Sequence, residues 1–500
     1  MEYIQSTTKF NNIFNKVPHE LCLKIVDELY LEDLLRLRLV CQSWYQVFCS
    51  IDICVHAIKK YFSLPIDYYF QKSGRDYAEL DDSKKKEEWL RKFIINRIRR
   101  EHGIATRSFE LDYNLWRGFF NFRYSNGRVV FQDEHGFTVE DLTTRQQFIF
   151  ASPLHAVLLT NWQLSDRYLL VPFAINFTKA YLTSSYSSGP ISRELVAWDL
   201  ASKRMHSIRI DEKVESLSAY QNQVGIVTVS SVDMTDSFES YVWQVGGALT
   251  RLQQIKHKRN SSEEKIVAID IFFHIFEKDV IFLVYHSCMS SSFKTGKHGT
   301  RITVQCFEAG VHTQTQYETI YTSTKPEDHR SVTITNDNII CIEVWENPEL
   351  GSNKDSYTHV TYDMGRRKFN RLEVHLHPIS GRNLLEHKNL IWRDQIYNPF
   401  LEGIFGEMRE LHVITLSKSL TDIWFGPSQS TCYTKLSFMK SSLLCSETRE
   451  NCVSTKNLKI YDTPTGWSRR AWGDDSFLIA NLGGSLRVWQ FDNLGLEPSR

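Results

Sequence analysis

The sequence has little of what would place it in a membrane, a secreted scaffold or a nucleic-acid complex. No stretch approaches the roughly 18 consecutive apolar residues that a membrane-crossing helix needs. The opening, MEYIQSTTKFNN, lacks the apolar core of a secretion signal. A soluble intracellular protein, cytoplasmic or nuclear, is therefore expected. The 59 basic and 59 acidic side chains cancel, so no overall field would draw the chain to nucleic acid or to an anionic bilayer. Ten cysteines form no CxxC pair and no Cys/His spacing of zinc type. Scattered through 500 residues they read as reduced thiols. Cys22 and Cys41, which fall in helical patterns, read as small buried hydrophobes. Two sequons, at Asn176 and Asn260, would matter only in a secretory protein.

Catalytic signatures are also missing. FKTGKHGTR, Phe293 to Arg301, has a Gly-Lys step but neither the earlier glycine nor the hydroxyl residue after lysine that a phosphate-binding loop requires, and it reads as a flexible basic loop. GxSxG does not occur, and His19-Glu20 has no second histidine at the spacing of a zinc-protease helix. His375 and His377 would share one face of a strand, but no third ligand accompanies them. Neither an enzyme nor a cofactor or metal is expected.

What is present falls into two textures. With 42% apolar and 24% charged residues the chain should fold, and its length exceeds one ordinary domain. Near the start stands VPHELCLKIVDELYLEDLLRLRLVCQSWYQVF, Val17 to Phe48. Leu21, Ile25 and Leu29, flanked by Cys22 and Val26, mark one face of a helix from Pro18 to Leu29, proline being tolerated in a first turn. Asp33 is placed to cap a second helix carrying Leu34, Leu35, Leu37 and Leu39, with Arg36 and Arg38 toward solvent. A third segment holds Val40, Cys41, Trp44, Val47 and Phe48. Farther on, Lys84 to Glu101 predicts a connecting helix whose Trp89, Phe93, Ile94 and Ile98 form a stripe that must pack on something. Its many Lys and Arg residues lack any accompanying nucleic-acid motif and read as a solvated face.

After about Arg107 helical periods vanish. Short runs of β-branched and aromatic residues alternate with polar turns, as antiparallel strands do. One pattern recurs: an apolar strand, an aromatic or acidic residue near its end, a turn and a further strand. It can be anchored on Asp141, Asp199, Gln244, Glu308 and Asp363, roughly 45 to 65 residues apart, with later versions at Leu458–Trp472 and Leu486–Gly495. A four-stranded propeller blade takes about 40 to 50 residues, so the remaining chain would hold six to eight blades, seven being the central count. A radial stack also leaves few long exposed edges.

The opening segment resembles the F-box. The resemblance rests on Val17-Pro18-His19-Glu20-Leu21, Ile25, Leu29, Asp33-Leu34-Leu35, Leu37-Arg38-Leu39-Val40-Cys41 and Trp44, over about 35 to 45 residues. Val17 stands where the family more often has leucine, and the proline that often precedes the Asp-Leu step is missing. Neither change removes an apolar contact. Carried over position by position, the resemblance makes Val17, Pro18, Leu21, Ile25, Leu34, Leu35, Val40 and Trp44 the residues that touch a Skp-type adaptor or support the contact. The physics agrees, because so short a segment buries too little surface alone and its surplus apolar side chains await a partner. The remainder resembles a degenerate WD-repeat propeller, with Trp198-Asp199 as the namesake dipeptide and weaker forms at Tyr362-Asp363 and Tyr461-Asp462. Its loosely patterned blades are similar to those of fungal F-box proteins.

The fold expected is thus multidomain α+β: a flexible stretch over 1–12, an all-α F-box over 13–55, a helical linker over 56–107 and a largely all-β propeller over 108–500. The resemblance implies a substrate-recognition subunit of an SCF-type ubiquitin ligase, a non-catalytic adaptor. It would join a Skp-type adaptor, and through it cullin and RING subunits, to a protein target, phosphorylated segments being one class that WD-repeat receptors read. Nucleic acid and membrane are not among the expected partners. The alternative is an adaptor-bound F-box scaffold or regulator acting outside ubiquitin transfer.

Overall fold

The structure is a computed structural model that describes residues 17–29, 31–61, 66, 83–102, 105–111, 122–132, 136–151, 157–158, 162–175, 192–230, 237–252, 264–289, 298–322, 330–336, 339–345, 356–375, 390–392, 395–402, 408–415, 435–440, 471–481 and 486–491. The readings made for 1–12, for the polar part of the linker, for 293–297, for His377 and for most of Leu458–Trp472 lie outside these residues.

Five helices come first among the described residues: α1 (His19–Glu28), α2 (Leu31–Leu37), α3 (Gln42–Phe48), α4 (Ile51–Tyr61) and α5 (Ser83–His102). Pro18 stands at the α1 N-cap, where its missing N–H costs nothing, and its carbonyl accepts the N–H groups of Leu21 and Cys22 at 3.0 and 3.2 Å. At the other end of α1, Lys60 Nζ donates to the carbonyls of Val26, Asp27 and Leu29, satisfying acceptors that no later turn can reach. Val26, Leu34, Phe48, Ile53 and Ile58 form one core with Trp89, Leu90, Phe93 and Ile94 of α5. The stripe predicted on the connecting helix therefore packs on the helices before it. Each such side chain contributes about 1.5–3 kcal/mol by leaving water, so α5 completes the helical unit as well as extending it.

Three expectations are corrected here. Helix α2 starts at Leu31, and Asp33 lies inside it, its Oδ1 accepting from Arg36 Nη1 at 3.1 Å instead of capping. Arg38 is buried, at 5% exposure, not solvated. The turn after α2 carries it over the end of α3, where Nε donates to the Phe48 carbonyl at 3.0 Å and Nη2 to Cys54 Sγ at 3.3 Å. A buried guanidinium is tolerable because such bonds replace water. Cys41 is exposed, since it precedes α3 in an extended conformation that turns it from the core. Cys22 is buried as expected, and burial pushes the thiol of Cys54 up to about 11, leaving it a space-filling neutral group.

Among the described residues, the β region forms seven antiparallel sheets. Six of them use strands consecutive in sequence: blade 1 (122–151), blade 2 (157–209), blade 3 (213–251), blade 4 (264–322), blade 5 (330–375) and blade 6 (390–440). In blade 2 the first strand is split into Val157–Leu158 and Gln163–Leu164, both pairing with Tyr168–Ile175. Apolar clusters bridge neighbours around the ring, from Phe137 and Trp198 between blades 1 and 2 to Phe282 and Tyr362 between blades 4 and 5. Gly225 lets blades 3 and 4 approach closely, because a Cβ there would lie 2.8 Å from Ile271. Blade 7 closes the circle: Ala471–Gly473, Phe477–Asn481 and Leu486–Gln490 supply three strands, and Arg107–Leu111 supplies the fourth, Arg107 opposite Gln490 and Leu111 opposite Leu486. The region is a closed seven-bladed propeller.

The five anchor residues now have a place. Asp141, Asp199, Gln244, Glu308 and Asp363 each end the third strand of a blade. Three of them build the same turn. Asp141 Oδ1 accepts the N–H groups of Thr143 and Thr144, Asp199 Oδ1 those of Ala201 and Ser202, and Asp363 Oδ1 that of Arg366. A left-handed residue follows, Arg145, Lys203 or Arg367, at φ 62°, 60° and 55°. The carboxylate compensates for the strain, which explains how so glycine-poor a chain turns so often. Gln490 ends the third strand of blade 7 in the same way, but its following strand comes from the other end of the propeller. His298–Glu308 is a strand, so the end of the expected basic loop, His298 to Arg301, is paired backbone.

Candidate functional site

The helices bind to the propeller through the end of α5. Arg100 Nε donates to the Asp474 carbonyl at 3.0 Å, and its guanidinium stacks 5.0 Å from the centre of the Phe491 ring. Arg97 Nη1 lies 3.6 Å from Asp475 Oδ1. Just beyond the helix, both the backbone N–H and the hydroxyl of Thr106 donate to the Gln490 carbonyl. Ile275, in the first hairpin turn of blade 4, packs against the helical core, and its carbonyl accepts the Tyr220 hydroxyl at 2.5 Å. Asp474–Asp475 and Ile275 occupy equivalent first-to-second-strand turns of their blades, so the helices sit on the face of the propeller that those turns form.

The positions singled out by sequence divide by exposure. Leu34 is in the core at 1% exposure; Val17, Ile25 and Trp44 are half-buried, and Val17 and Trp44 pack against the core, the Trp44 ring 6.0 Å from that of Phe48. Pro18 is exposed, as are Leu21 at 47% and Val40 at 59%. The side chain of Leu35 lies outside the described residues. Leu39, at 85%, is more exposed than Leu21 or Val40, and Tyr45 on α3 is also exposed. Sequence reasoning assigned neither of the last two. The sequence set Leu39 on the second helix, but α2 ends at Leu37 and Leu39 falls in the turn after it, where no helical face remains for it to join. A helical unit that leaves Leu21, Leu39 and Val40 in water while burying Arg38 presents an apolar surface on an otherwise completed core.

The F-box-like family model matches residues 14–53, which take in α1, α2, α3 and the start of α4. These helices are an F-box. No curated protein matches the chain. Among solved structures, the β-propeller domain of the Trilobed protease from Pyrococcus furiosus aligns over 78% of this chain and 99% of its own length at 10% identity and a TM-score of 0.36. The WD40 domain of SCAP from fission yeast aligns over 74% and 83% at 9% identity and a TM-score of 0.25. The tricorn protease aligns over 64% of this chain at 11% identity and a TM-score of 0.31, and the chain spans only 31% of its length. At such scores the propeller rests on the strand pairing described above, not on these likenesses.

Among the described residues, the propeller has open spaces between its blades. A polar groove of about 810 Å³ lies at the hairpin turns of blades 2, 3 and 4, between Arg167, Asn222, Gln244 and Lys278. A smaller space of about 250 Å³ is lined by the innermost strands of blades 1, 2 and 3, where the Arg123 guanidinium stacks 5.0 Å from the centre of the Trp162 ring and Glu215 contributes a carboxylate. Trp162 is held in place by its indole N–H, which donates to Gln132 Oε1 at 3.1 Å. Among the described residues no three His, Cys, Asp or Glu side chains gather as a metal ion would require, and no helix is long and apolar enough to cross a membrane.

Proposed function

We propose that this chain is the substrate-recognition subunit of an SCF-type ubiquitin ligase, working in the cytoplasm or nucleus. The F-box holds a Skp-type adaptor, and through it a cullin and a RING subunit; the propeller holds a protein target. The observation that carries this reading is the F-box match over residues 14–53 on helices whose Leu21 and Val40 remain exposed. Burying several such side chains at about 1.5–3 kcal/mol each would sustain a firm interface after the cost of association is met. Helix α5, 20 residues and so roughly 30 Å long, fixes the spacing between the two partners. The chain then contributes no nucleophile or acid. It acts by raising the local concentration of a target lysine beside a ubiquitin-charged enzyme.

The test is capture of purified Skp-type adaptor by the full chain. Pro18→Ala combined with Leu21→Ala should abolish capture and leave the circular dichroism spectrum intact, because both residues are exposed in the isolated chain. Unaltered capture by that double variant would overturn the reading. In cells, depleting the adaptor or inhibiting the proteasome should lengthen the lifetime of proteins trapped by the variant. Lifetimes that do not move would favour the scaffold.

A further inference from the structure

The lysine-rich start of α5 stands beside the exposed side of the F-box. From Lys84 to Lys92 the sequence carries five basic residues, Lys84, Lys85, Lys86, Arg91 and Lys92, against Glu87 and Glu88, in a chain whose total charge cancels. The buried side of this segment is Trp89 and Leu90, while Lys84, Lys85 and Lys92 are exposed. The packing of Trp89 and Leu90 on the helical core sets its position, and Arg91 Nη1 donates to the Tyr45 hydroxyl at 2.8 Å, tying α5 to α3. Tyr45 is itself exposed and follows Val40 by little more than one helical turn. Lys85 lies six residues before Arg91, about 9 Å along the helix axis, comparable with the screening length of roughly 8 Å at physiological salt. Apolar exposure and local positive charge thus adjoin on one helical unit.

We propose that the first two turns of α5 extend the adaptor-binding face electrostatically, and that the Skp-type adaptor presents an acidic segment to them. The inference rests on the adaptor reading above. The apolar side chains hold the complex, and the lysines steer its formation, since charges at the rim of an interface act mainly on the association rate and its salt dependence.

The experiment measures association and dissociation of the full chain with purified adaptor at low and at high salt. Lys84→Glu with Lys85→Glu should slow association about 5- to 10-fold at low salt, converge with wild type at high salt, and leave the dissociation rate unchanged. A control with the same change of net charge, Arg204→Glu with Arg209→Glu on the exposed rim of blade 2, should associate like wild type. The α5 variant should melt no lower than wild type, because acidic residues suit the first turn of a helix, so misfolding does not explain a slower rate. Equal rates and equal salt slopes for wild type and the α5 variant overturn the inference. So does the finding that the substitutions abolish binding to a single-stranded oligonucleotide while adaptor association is untouched. If wild type does not associate with adaptor at all, the adaptor reading falls first and this extension falls with it.

Discussion

The helical unit and the propeller answer the same problem, how to complete a core, in opposite ways. The propeller answers it internally: blade 7 takes its outer strand from Arg107–Leu111 and so finishes the ring with material from both ends of the domain. The F-box borrows α5 for part of its core and still leaves Leu21, Leu39 and Val40 exposed. A unit that completes itself suits a stable platform. A unit that remains incomplete suits docking, because the exposed side chains gain their burial only when a partner arrives.

The contrast is broken most severely at the ring closure. Val488→Asp places an unpaired carboxylate at a fully buried position in the third strand of blade 7 and should cost more than about 4 kcal/mol. Thermal unfolding and limited proteolysis should show the propeller opened while adaptor capture by the F-box survives. Joint loss of both would mean that the two regions form one cooperative unit. A smaller effect is expected where they join. Arg100→Ala removes the bond to the Asp474 carbonyl and the stack on Phe491, for about 1–3 kcal/mol of docking. Faster amide exchange in α5 and in residues 471–491, with exchange in blade 3 unchanged, is the expected signature.

Mild acid should give the smallest effect and divide the regions once more. His286, buried in blade 4, has its pKa lowered to about 4 by desolvation, against about 6.5 in an unfolded chain. The unfolded state therefore binds the proton more readily. Stability from this group is complete above about pH 6.5 and is lost progressively toward pH 4, the loss being about 1 kcal/mol at pH 6. Melting temperatures of wild type and His286→Gln should converge as pH falls through this window if the histidine is responsible. A constant difference between them would assign the acid sensitivity elsewhere.

Much of this was legible in the sequence, and the boundary of legibility is physical. The F-box could be read because its signal is local: Pro18, Glu20, Leu21, Val40, Cys41 and Trp44 occur in order within a few helical turns. The blades could be read because Asp141, Asp199 and Asp363 are demanded by a turn that needs a carboxylate at its start. The burial of Arg38 was hidden, since its partners, the Phe48 carbonyl and Cys54, are set by how α3 and α4 cross it. The packing of Ile275 on the helical core was hidden for the same reason. No pattern within a strand announces a partner strand hundreds of residues away, so the pairing of Arg107–Leu111 with Leu486–Gln490 left no local trace.

That pairing also orders events during synthesis. Thr106 and Gln490, 384 residues apart, must meet before the ring is finished, so every blade between them has to leave the ribosome first. The F-box is made long before, and its contacts are short in sequence and quick to form. A nascent chain can therefore carry folded helices while its propeller is still an open stack of sheets with unsatisfied edges. On the function proposed above, an adaptor that engaged so early would be joined to a chain with no finished binding face, and the growing propeller itself would be the protein nearest to it.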